Sequence, residues 1–190
     1  RESAYAYPAP ETVQRLYVWH RPQGRRLIVA TQRVVFVLDE TAGEWKSIYD
    51  FGADATGAQY DFLPVKIAST EYLLIASASA RMAKWDGESA AAAAFGSAEG
   101  LSDIAVNFTE LYYSRLFTAG DANNPSRLYY SQAPGDTRTI ENWTAASESE
   151  NVSGGFVDVG TDSDPITGLF ALSNQLLIFK RDSLYRLLGD

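Results

Sequence analysis

The sequence predicts an all-β protein built from a repeated group of short strands. Short apolar runs of strand length recur along the chain in groups of three, with no helical periodicity in between. A short polar turn joins the first run to the second, and the third strand ends in Asp, Gly or Asn. The runs return at a spacing of about 45 residues, which is the length of one four-stranded propeller blade. We therefore expect a β-propeller-like repeat of four-stranded antiparallel blades, with about four blades present, either as an open arc or as an incomplete ring that other sequence closes.

The second strand of each predicted blade is the most regular part of the repeat. Its copies are nearly continuous apolar runs, as expected of strands covered on both faces. They are Arg26–Ala30, Tyr72–Ala76, Arg115–Ala119 and Gln175–Phe179. A turn and a third strand follow each of them, at Val34–Leu38, Met82–Trp85, Leu128–Tyr130 and Leu184–Leu187. The spacing lengthens to about 60 residues before the last copy, because a polar insertion at 131–155 separates two strands.

Two segments flank or interrupt this repeat. Residues 1–14, with Pro8 and Pro10, are predicted to be an extended lead-in, and residues 15–190 to be one propeller-like domain. Because residue 1 is Arg and no targeting motif is visible, we expect this domain to be part of a longer chain. The alanine tract at 89–95 has strong helix propensity but is short, which predicts a short helix or an apolar-backed loop.

Composition excludes several classes of protein. Of the 190 residues, 46% are hydrophobic and 13% aromatic, enough to build a folded core. No apolar run reaches the roughly 18 residues of a membrane span. The net charge of −8 disfavours binding to nucleic-acid phosphates, and the absence of cysteine excludes disulfides and thiolate metal sites. The one dense cationic cluster, Arg21, Arg25 and Arg26, is expected at solvated turn and strand-edge positions, with phosphate binding as the alternative.

Candidate catalytic and metal-binding residues are few. His20 is the only histidine, so any Ser-His-Asp chemistry would depend on it, whereas a strand end before a turn is the ordinary interpretation. Asp158, Asp162 and Asp164 are weak candidates for a calcium site in a Gly-containing loop. No downstream glutamate completes an EF-hand, and Asx turns before Pro165 explain the same residues. We therefore expect no enzyme activity, no catalytic residue, no cofactor and no resident metal.

Other motifs predict structure more than chemistry. The segment Asp39–Trp45 is similar to the Asp-box turn of sialidase-type propellers and predicts a turn, without sugar cleavage. Glycosylation triplets begin at Asn107, Asn142 and Asn151, and chance explains them. The strand aromatics predict blade-to-blade packing, and a carbohydrate platform is the alternative. They are Tyr17, Trp19, Tyr112, Tyr113, Tyr129, Tyr130, Trp143 and Tyr185.

The second half of the chain carries an ordered set of short motifs. They are R-L-F-T-A-G-D at 115–121, P-S-R-L-Y-Y-S at 125–131, and Q-L-L-I-F-K at 175–180 followed by S-L-Y at 183–185. Their order and spacing resemble a group of tailed-bacteriophage and prophage virion proteins, over residues 15–190 and most densely over 115–187. The alanine tract and the acidic insertion near 146–151 depart from that pattern.

This resemblance implies a structural role inside a phage or phage-like particle. Such a protein would belong to the tail hub, the tail or the head–tail junction. It would assemble as a homo-oligomeric ring with other virion proteins (portal, tail or adaptor rings), near packaged DNA but without sequence-specific binding. Its location would be the virion, assembled in the bacterial cytoplasm. The alternative is a carbohydrate-binding or carbohydrate-cleaving propeller such as a tail-associated adhesin, and a third is a bacterial protein-interaction propeller unrelated to virions.

Overall fold

The chain folds into four small antiparallel sheets. The structure is a computed structural model that describes residues 12–52, 59–78, 80–96, 101, 104–136, 138–144, 146 and 152–189. These residues form fifteen β-strands and no α-helix. The all-β class predicted from the repeated apolar runs is therefore confirmed.

Each sheet is built from consecutive strands, so the topology is a series of meanders. The first sheet contains β1 (Arg15–Arg21), β2 (Gly24–Ala30), β3 (Val34–Asp39) and β4 (Glu44–Asp50). The second contains β5 (Tyr60–Ile67), β6 (Thr70–Ser77), β7 (Ala80–Trp85) and the two-residue β8 (Ala93–Ala94).

The third and fourth sheets follow the same order along the chain. The third contains β9 (Phe108–Tyr112), β10 (Arg115–Ala119), β11 (Arg127–Tyr130) and β12 (Gly155–Asp158). The fourth contains β13 (Ile166–Leu172), β14 (Gln175–Lys180) and β15 (Leu184–Leu188). Four strands per sheet were predicted throughout, and the fourth sheet differs, with three strands among the described residues.

A two-residue loop joins the first and second strands of every sheet. The closing pairs of these four hairpins are Arg21↔Gly24, Ile67↔Thr70, Tyr112↔Arg115 and Leu172↔Gln175. In the third sheet both loop residues have positive φ, 45° at Tyr113 and 61° at Ser114. Two positive φ values give the tight turn whose twist matches the twist of the flanking strands. The repeat predicted from sequence is thus a repeat of hairpins with equal loops.

The predicted second strands lie inside the sheets, with a partner on each side. β2, β6, β10 and β14 each pair with the strand before and the strand after. In β6, Leu73 and Ile75 point toward the first sheet while Leu74 and Ala76 point toward the third, and all four are fully buried. Because successive strand residues face opposite sides, a strand covered on both faces needs an unbroken apolar run.

The core consists of three apolar layers, one between each pair of successive sheets. The layer between the first and second sheets is formed by residues such as Trp19, Ile28, Phe62 and Trp85. Met82, Leu116, Tyr129 and Trp143 contribute to the layer between the second and third sheets. The layer between the third and fourth sheets contains Tyr112, Phe117, Leu128, Leu176 and Ile178.

The four sheets are stacked in chain order with their first strands side by side. β1 contacts β5, β5 contacts β9, and β9 contacts β13. We call the face of a sheet toward the preceding sheet its upstream face, and the opposite face its downstream face. The described sheets form no closed ring. The downstream face of the fourth sheet is exposed, whereas the upstream face of the first sheet is exposed only along β1, because Val29 and Phe36 on β2 and β3 are 4% and 7% exposed.

The alanine tract is not helical, and its hydrogen bonds explain why. The Ala92 N–H donates to Ile48 O of the first sheet at 2.7 Å, and the Phe95 N–H donates to Met82 O at 2.9 Å. Ala93 and Ala94 form β8 on the edge of the second sheet, and the Phe95 side chain is fully buried. Pairing with strands therefore replaces the helix that the alanine composition favoured. Of the two predicted alternatives, the apolar-backed loop is closer to the observed structure than the short helix.

Two further expectations concern the lead-in at 1–14 and the polar insertion at 131–155. Of the predicted lead-in at 1–14, residues 1–11 lie outside the described residues, and 12–14 precede β1 without being a strand. The polar insertion lies between β11 and β12, as predicted, and it places Ile140 and Trp143 in the core between the second and third sheets.

Candidate functional site

A polar cavity lies where the first strands of all four sheets begin. Its volume is about 380 Å³. The cavity is lined by residues at or just before the first strands of the first three sheets, and by two residues of β13. They are Gln14, Arg15, Gln59, Tyr60, Asp61, Asn107, Phe108, Thr109, Gly168 and Leu169. Because four separate sheets contribute, the stacking of the repeats creates this cavity and no single hairpin does.

Three side-chain amides hold equivalent positions around the cavity. Gln14, Gln59 and Asn107 each stand one residue before a first strand. Each extends its hairpin by one backbone bond: Gln14 N donates to Ala30 O, Asn107 N donates to Ala119 O, and Gln59 O accepts from Ala78 N. The repeat therefore presents a carboxamide at the same place in three successive sheets.

Hydrogen bonds tie the second sheet to the third beside the cavity. Asp61 Oδ2 accepts from both the backbone N and the Oγ1 of Thr109, each at 2.8 Å. The Asn107 amide donates to Gln59 Oε1 at 2.9 Å. The neighbouring Tyr17 hydroxyl has its pKa raised by burial and, to a smaller extent, by the negative charge of Asp61.

Gly120 is required by the packing of Asn107. The φ of Gly120 is +93°, a backbone conformation that residues with a side chain rarely adopt. A Cβ at this position would overlap the Asn107 amide. The glycine of the R-L-F-T-A-G-D motif therefore makes room for Asn107, the cavity residue immediately before β9.

The predicted candidates for metal binding lie in separate hydrogen-bonded contacts. Asp158 pairs with Arg127 at 2.8 Å, and Ser126 Oγ donates to Asp162. Asp164 accepts from Asp182 N at 2.8 Å and from Ser183 Oγ at 2.6 Å. In the part of the chain that the structure describes, no group of three or more His, Cys, Asp or Glu side chains has an arrangement suited to a metal ion. The carboxylates of Asp158, Asp162 and Asp164 therefore stabilise the local structure through hydrogen bonds and an ion pair.

His20 and the arginine cluster also occupy ordinary structural positions. His20 is an exposed residue of β1, opposite Arg25 on β2. Arg21 and Arg26 both contact the Glu88 carboxylate, at 2.8 and 3.1 Å, and Arg25 lies 3.4 Å from Glu40. Each member of the predicted cationic cluster is thus paired with an acidic side chain.

The glycosylation triplets and the Asp39 turn have structural explanations. Asn107 lies in the cavity, Asn142 Oδ1 accepts from Thr139 N at 2.8 Å, and Asn151 lies outside the described residues. The segment 39–45 is the β3–β4 turn. Lys46 Nζ, at 2.7 Å, and the backbone N–H of Ala42 lower the pKa of Asp39 to about 2.

The aromatic residues pack mainly between sheets. Of the eight singled out from the sequence, six are buried or half-buried, and Tyr113 and Tyr185 are 54% and 42% exposed. Trp19 packs against Trp85 with ring centroids 6.1 Å apart. This placement is that of packing residues and provides no exposed aromatic platform from this set.

The free face of the fourth sheet is an exposed apolar surface, which we call the downstream end face. The strand register places its residues on one side of β13, β14 and β15. Five of its side chains are 40–58% exposed: Phe170, Leu172, Phe179, Leu184 and Leu188. An apolar sheet face of this kind is normally covered in a folded assembly.

The outer face of the first sheet, the upstream end face, carries a groove. Leu16 and Val18 of β1 are 60% and 40% exposed. Beside them a groove of about 480 Å³ is lined by Val18, Arg25, Leu27, Leu38 and Glu40. Val29 and Phe36 on the same face are buried, so the upstream end face presents apolar surface to solvent only along β1.

Sequence reasoning did not identify the cavity. Its signal is faint, a carboxamide immediately before each of three first strands, and it becomes visible only when the strand starts are known. The two end faces were also missed as sites, although Leu27, Leu38, Phe179 and Leu184 lie in runs that the sequence assigned to strands.

No helix among the described residues is long and apolar enough to cross a membrane.

Comparison with known proteins identifies a fold and no family. No protein-family model and no curated protein matches the chain. Among solved structures, the chain is similar to the extracellular domain of a putative hybrid two-component system from B. thetaiotaomicron, with a TM-score of 0.57 and 13% identity. The match covers 97% of this chain and 21% of that one, so the chain spans about a fifth of its length. At this identity the likeness shows that a larger extracellular domain contains a similar arrangement of sheets.

Proposed function

We propose that the four sheets are blades of a β-propeller and that the protein is a structural module acting by protein–protein assembly. The observation that carries this proposal is the exposed apolar face of the fourth sheet. That sheet has two apolar faces, as an internal sheet does, yet its downstream face is in contact with solvent, and the β1 part of the upstream end face, with Leu16 and Val18, is exposed as well. The side-by-side first strands support the propeller geometry, because blades fan out around their first strands.

The interior of the stack indicates what covers such a face. Each internal layer is formed when the downstream face of one sheet packs on the upstream face of the next. The two end faces are one of each kind, so the downstream end face of one molecule suits the upstream end face of another. Phe170 and Leu184 project from the first, and the groove lined by Leu27 and Leu38 receives side chains on the second.

The partner is therefore a second copy of the chain, packed head to tail. Two stacks of four sheets joined at both ends would make a closed ring of eight, within the range of natural propellers of about 4–8 blades. A twofold axis would relate the copies and bury both pairs of end faces at once. This assembly leaves no apolar end face in solvent.

Placement in a phage or phage-like virion remains part of the proposal, supported by the motifs at 115–131 and 175–185. A stiff ring of blades holds loops in fixed positions for portal, tail or adaptor rings to bind. The acidic surface, with a net charge of −8, would reduce sticking of DNA that passes nearby. Mass spectrometry of purified particles tests this placement: a fixed small number of copies per particle supports it, and absence from particles contradicts it.

Analytical ultracentrifugation tests the assembly step. The unmodified chain should sediment as a closed oligomer, and Leu184→Glu should shift it to monomer, because a charge on the downstream end face must be desolvated on packing. Val157→Glu is the matched control. Val157 is also an exposed strand residue, 47% accessible, but lies on the third sheet outside both end faces. A monomeric unmodified chain, or equal effects of the two variants, would contradict the proposal.

Carbohydrate binding remains the second candidate function. The aromatic residues that suggested it lie mainly in the layers between sheets. What supports the second candidate is instead the polar cavity at the starts of the first strands, where amide side chains meet. Carbohydrate binding in this cavity is compatible with assembly, since the cavity lies apart from both end faces.

A further inference from the structure

The polar cavity has the chemistry of a ligand site. Each carboxamide offers two N–H donors and a carbonyl acceptor on one short side chain. Gln14 makes no side-chain hydrogen bond among the described residues, and Gln59 and Asn107 use only one bond with each other. Asn107 Oδ1 is buried against Gly120, so the groups left for a bound molecule are the Gln14 amide, the Gln59 amide nitrogen and the second N–H of Asn107.

The two charged residues of the cavity, Asp61 and Arg15, differ in how many of their hydrogen-bonding groups already have a partner in the protein. Asp61 already accepts from Thr109 and from the backbone N of Phe62. Arg15 has no carboxylate within ion-pair distance in the described part of the chain. One positive and one negative side chain leave the lining with no net charge. An anion would face Asp61 and a cation would face Arg15, so the lining favours a neutral polar molecule.

Hydroxyl groups match this lining best. A hydroxyl donates one hydrogen bond and accepts others, as an amide does, so several hydroxyls on one ring can pair with amides from different sheets. Tyr60 and Phe108 add apolar surface to the lining, against which the C–H groups of a sugar can pack. A volume of about 380 Å³ lies in the range of small-molecule sites.

We infer that this cavity binds a neutral polyhydroxyl ligand of mono- or disaccharide size. Gln14 and Asn107 hydrogen-bond its hydroxyls from two sheets, Gln59 positions Asn107 from a third, and Arg15 donates to a ring or hydroxyl oxygen. The site depends on the stacking of the sheets and not on the proposed oligomer, so each can fail without the other.

Ligand-observed NMR and calorimetry with glucose, galactose, N-acetylglucosamine and maltose test the inference. At least one of these sugars should bind at millimolar concentration or better. Gln14→Ala should weaken that binding about three- to tenfold, because one or two hydrogen bonds are lost. Gln23→Ala, an exposed amide in the β1–β2 loop, is the matched control and should leave the affinity unchanged.

A pair of Arg15 variants tests whether a loss of binding reflects misfolding. Arg15→Gln keeps a donor and should weaken sugar binding less than Arg15→Ala, with thermal unfolding unchanged in both. Succinate is the anionic probe: if it binds, loses binding in Arg15→Ala, and no sugar binds, the inference is wrong. It is equally overturned if none of the four sugars binds, or if sugar binding survives Gln14→Ala and Arg15→Ala undiminished.

Discussion

At the residue scale, the aspartates that end strands organise the turns of this molecule. Asp39 Oδ1 accepts from the backbone N of Thr41 and Ala42, and Asp86 Oδ1 accepts from the N of Glu88 and Ser89. These are Asx turns, in which a carboxylate replaces the next backbone carbonyl. Asp39 is the last residue of β3 and Asp86 directly follows β7. Both strands are the third of their sheets, so the same Asx turn recurs at the same place in two repeats.

The Asp39 turn predicts a pH dependence. Its ordinary pKa of 3.8 is lowered to about 2, chiefly by Lys46. Because the folded pKa is below the unfolded one, the carboxylate stabilises the fold fully above about pH 4, and this contribution is lost as the pH falls toward 2. Urea unfolding should therefore show Asp39→Asn less stable than the unmodified protein at neutral pH and converging with it near pH 2. Thr41→Ala keeps the backbone donor and should retain the full pH dependence; a pH-independent difference for Asp39→Asn would contradict this account.

A buried hydrogen bond in the third sheet predicts a larger effect. Tyr129 OH donates to Asp121 Oδ2 at 2.6 Å, and each residue is 6% exposed. Burial and this bond raise the pKa of Tyr129 to about 12. Tyr129→Phe should cost about 1.5–3 kcal/mol in the free energy of unfolding, because a bond to a buried charge is lost. Tyr113→Phe, at an exposed tyrosine, should change it by less than about 0.5 kcal/mol.

At the element scale, the two faces of β14 make opposite predictions. Leu176 is fully buried on the upstream face, whereas Phe179 is 41% exposed on the downstream end face. Leu176→Ala should cost about 2–5 kcal/mol, as cavities in packed cores do. Phe179→Ala should cost less than half of that in dilute monomeric protein, although Phe is the larger side chain. Chemical unfolding measures both, and similar costs would mean that the downstream end face is already covered within one molecule.

The strands were predictable because their signal is local. A strand covered on both faces requires the unbroken apolar run seen in β6, and a hairpin loop requires the few residues that fit it. The alanine tract was less predictable, since helix propensity is also local but pairing with Ile48 and Met82 outweighs it. The cavity depended on contacts between residues 48 apart, Gln59 with Asn107 and Asp61 with Thr109, which no local pattern records.

At the scale of the whole molecule, stacking explains both candidate sites. The same repeat that aligns the first strands around a polar cavity also leaves exposed apolar side chains at each end, over the downstream face of the fourth sheet and along β1 of the first. Neither feature belongs to one sheet. The sequence predicted the number of sheets from the number of repeats, but the free faces follow from the arrangement of those sheets and needed the structure.

Crosslinking between copies tests the head-to-tail assembly most directly, because the chain contains no cysteine. Leu16→Cys marks the upstream end face and Phe170→Cys the downstream end face; the two variants are mixed and treated with a short bifunctional maleimide. Crosslinked dimers should form efficiently in the mixture and poorly in either variant alone or with Val157→Cys. Equal crosslinking in all samples, or none in the mixture, would contradict a ring closed by two copies of this chain.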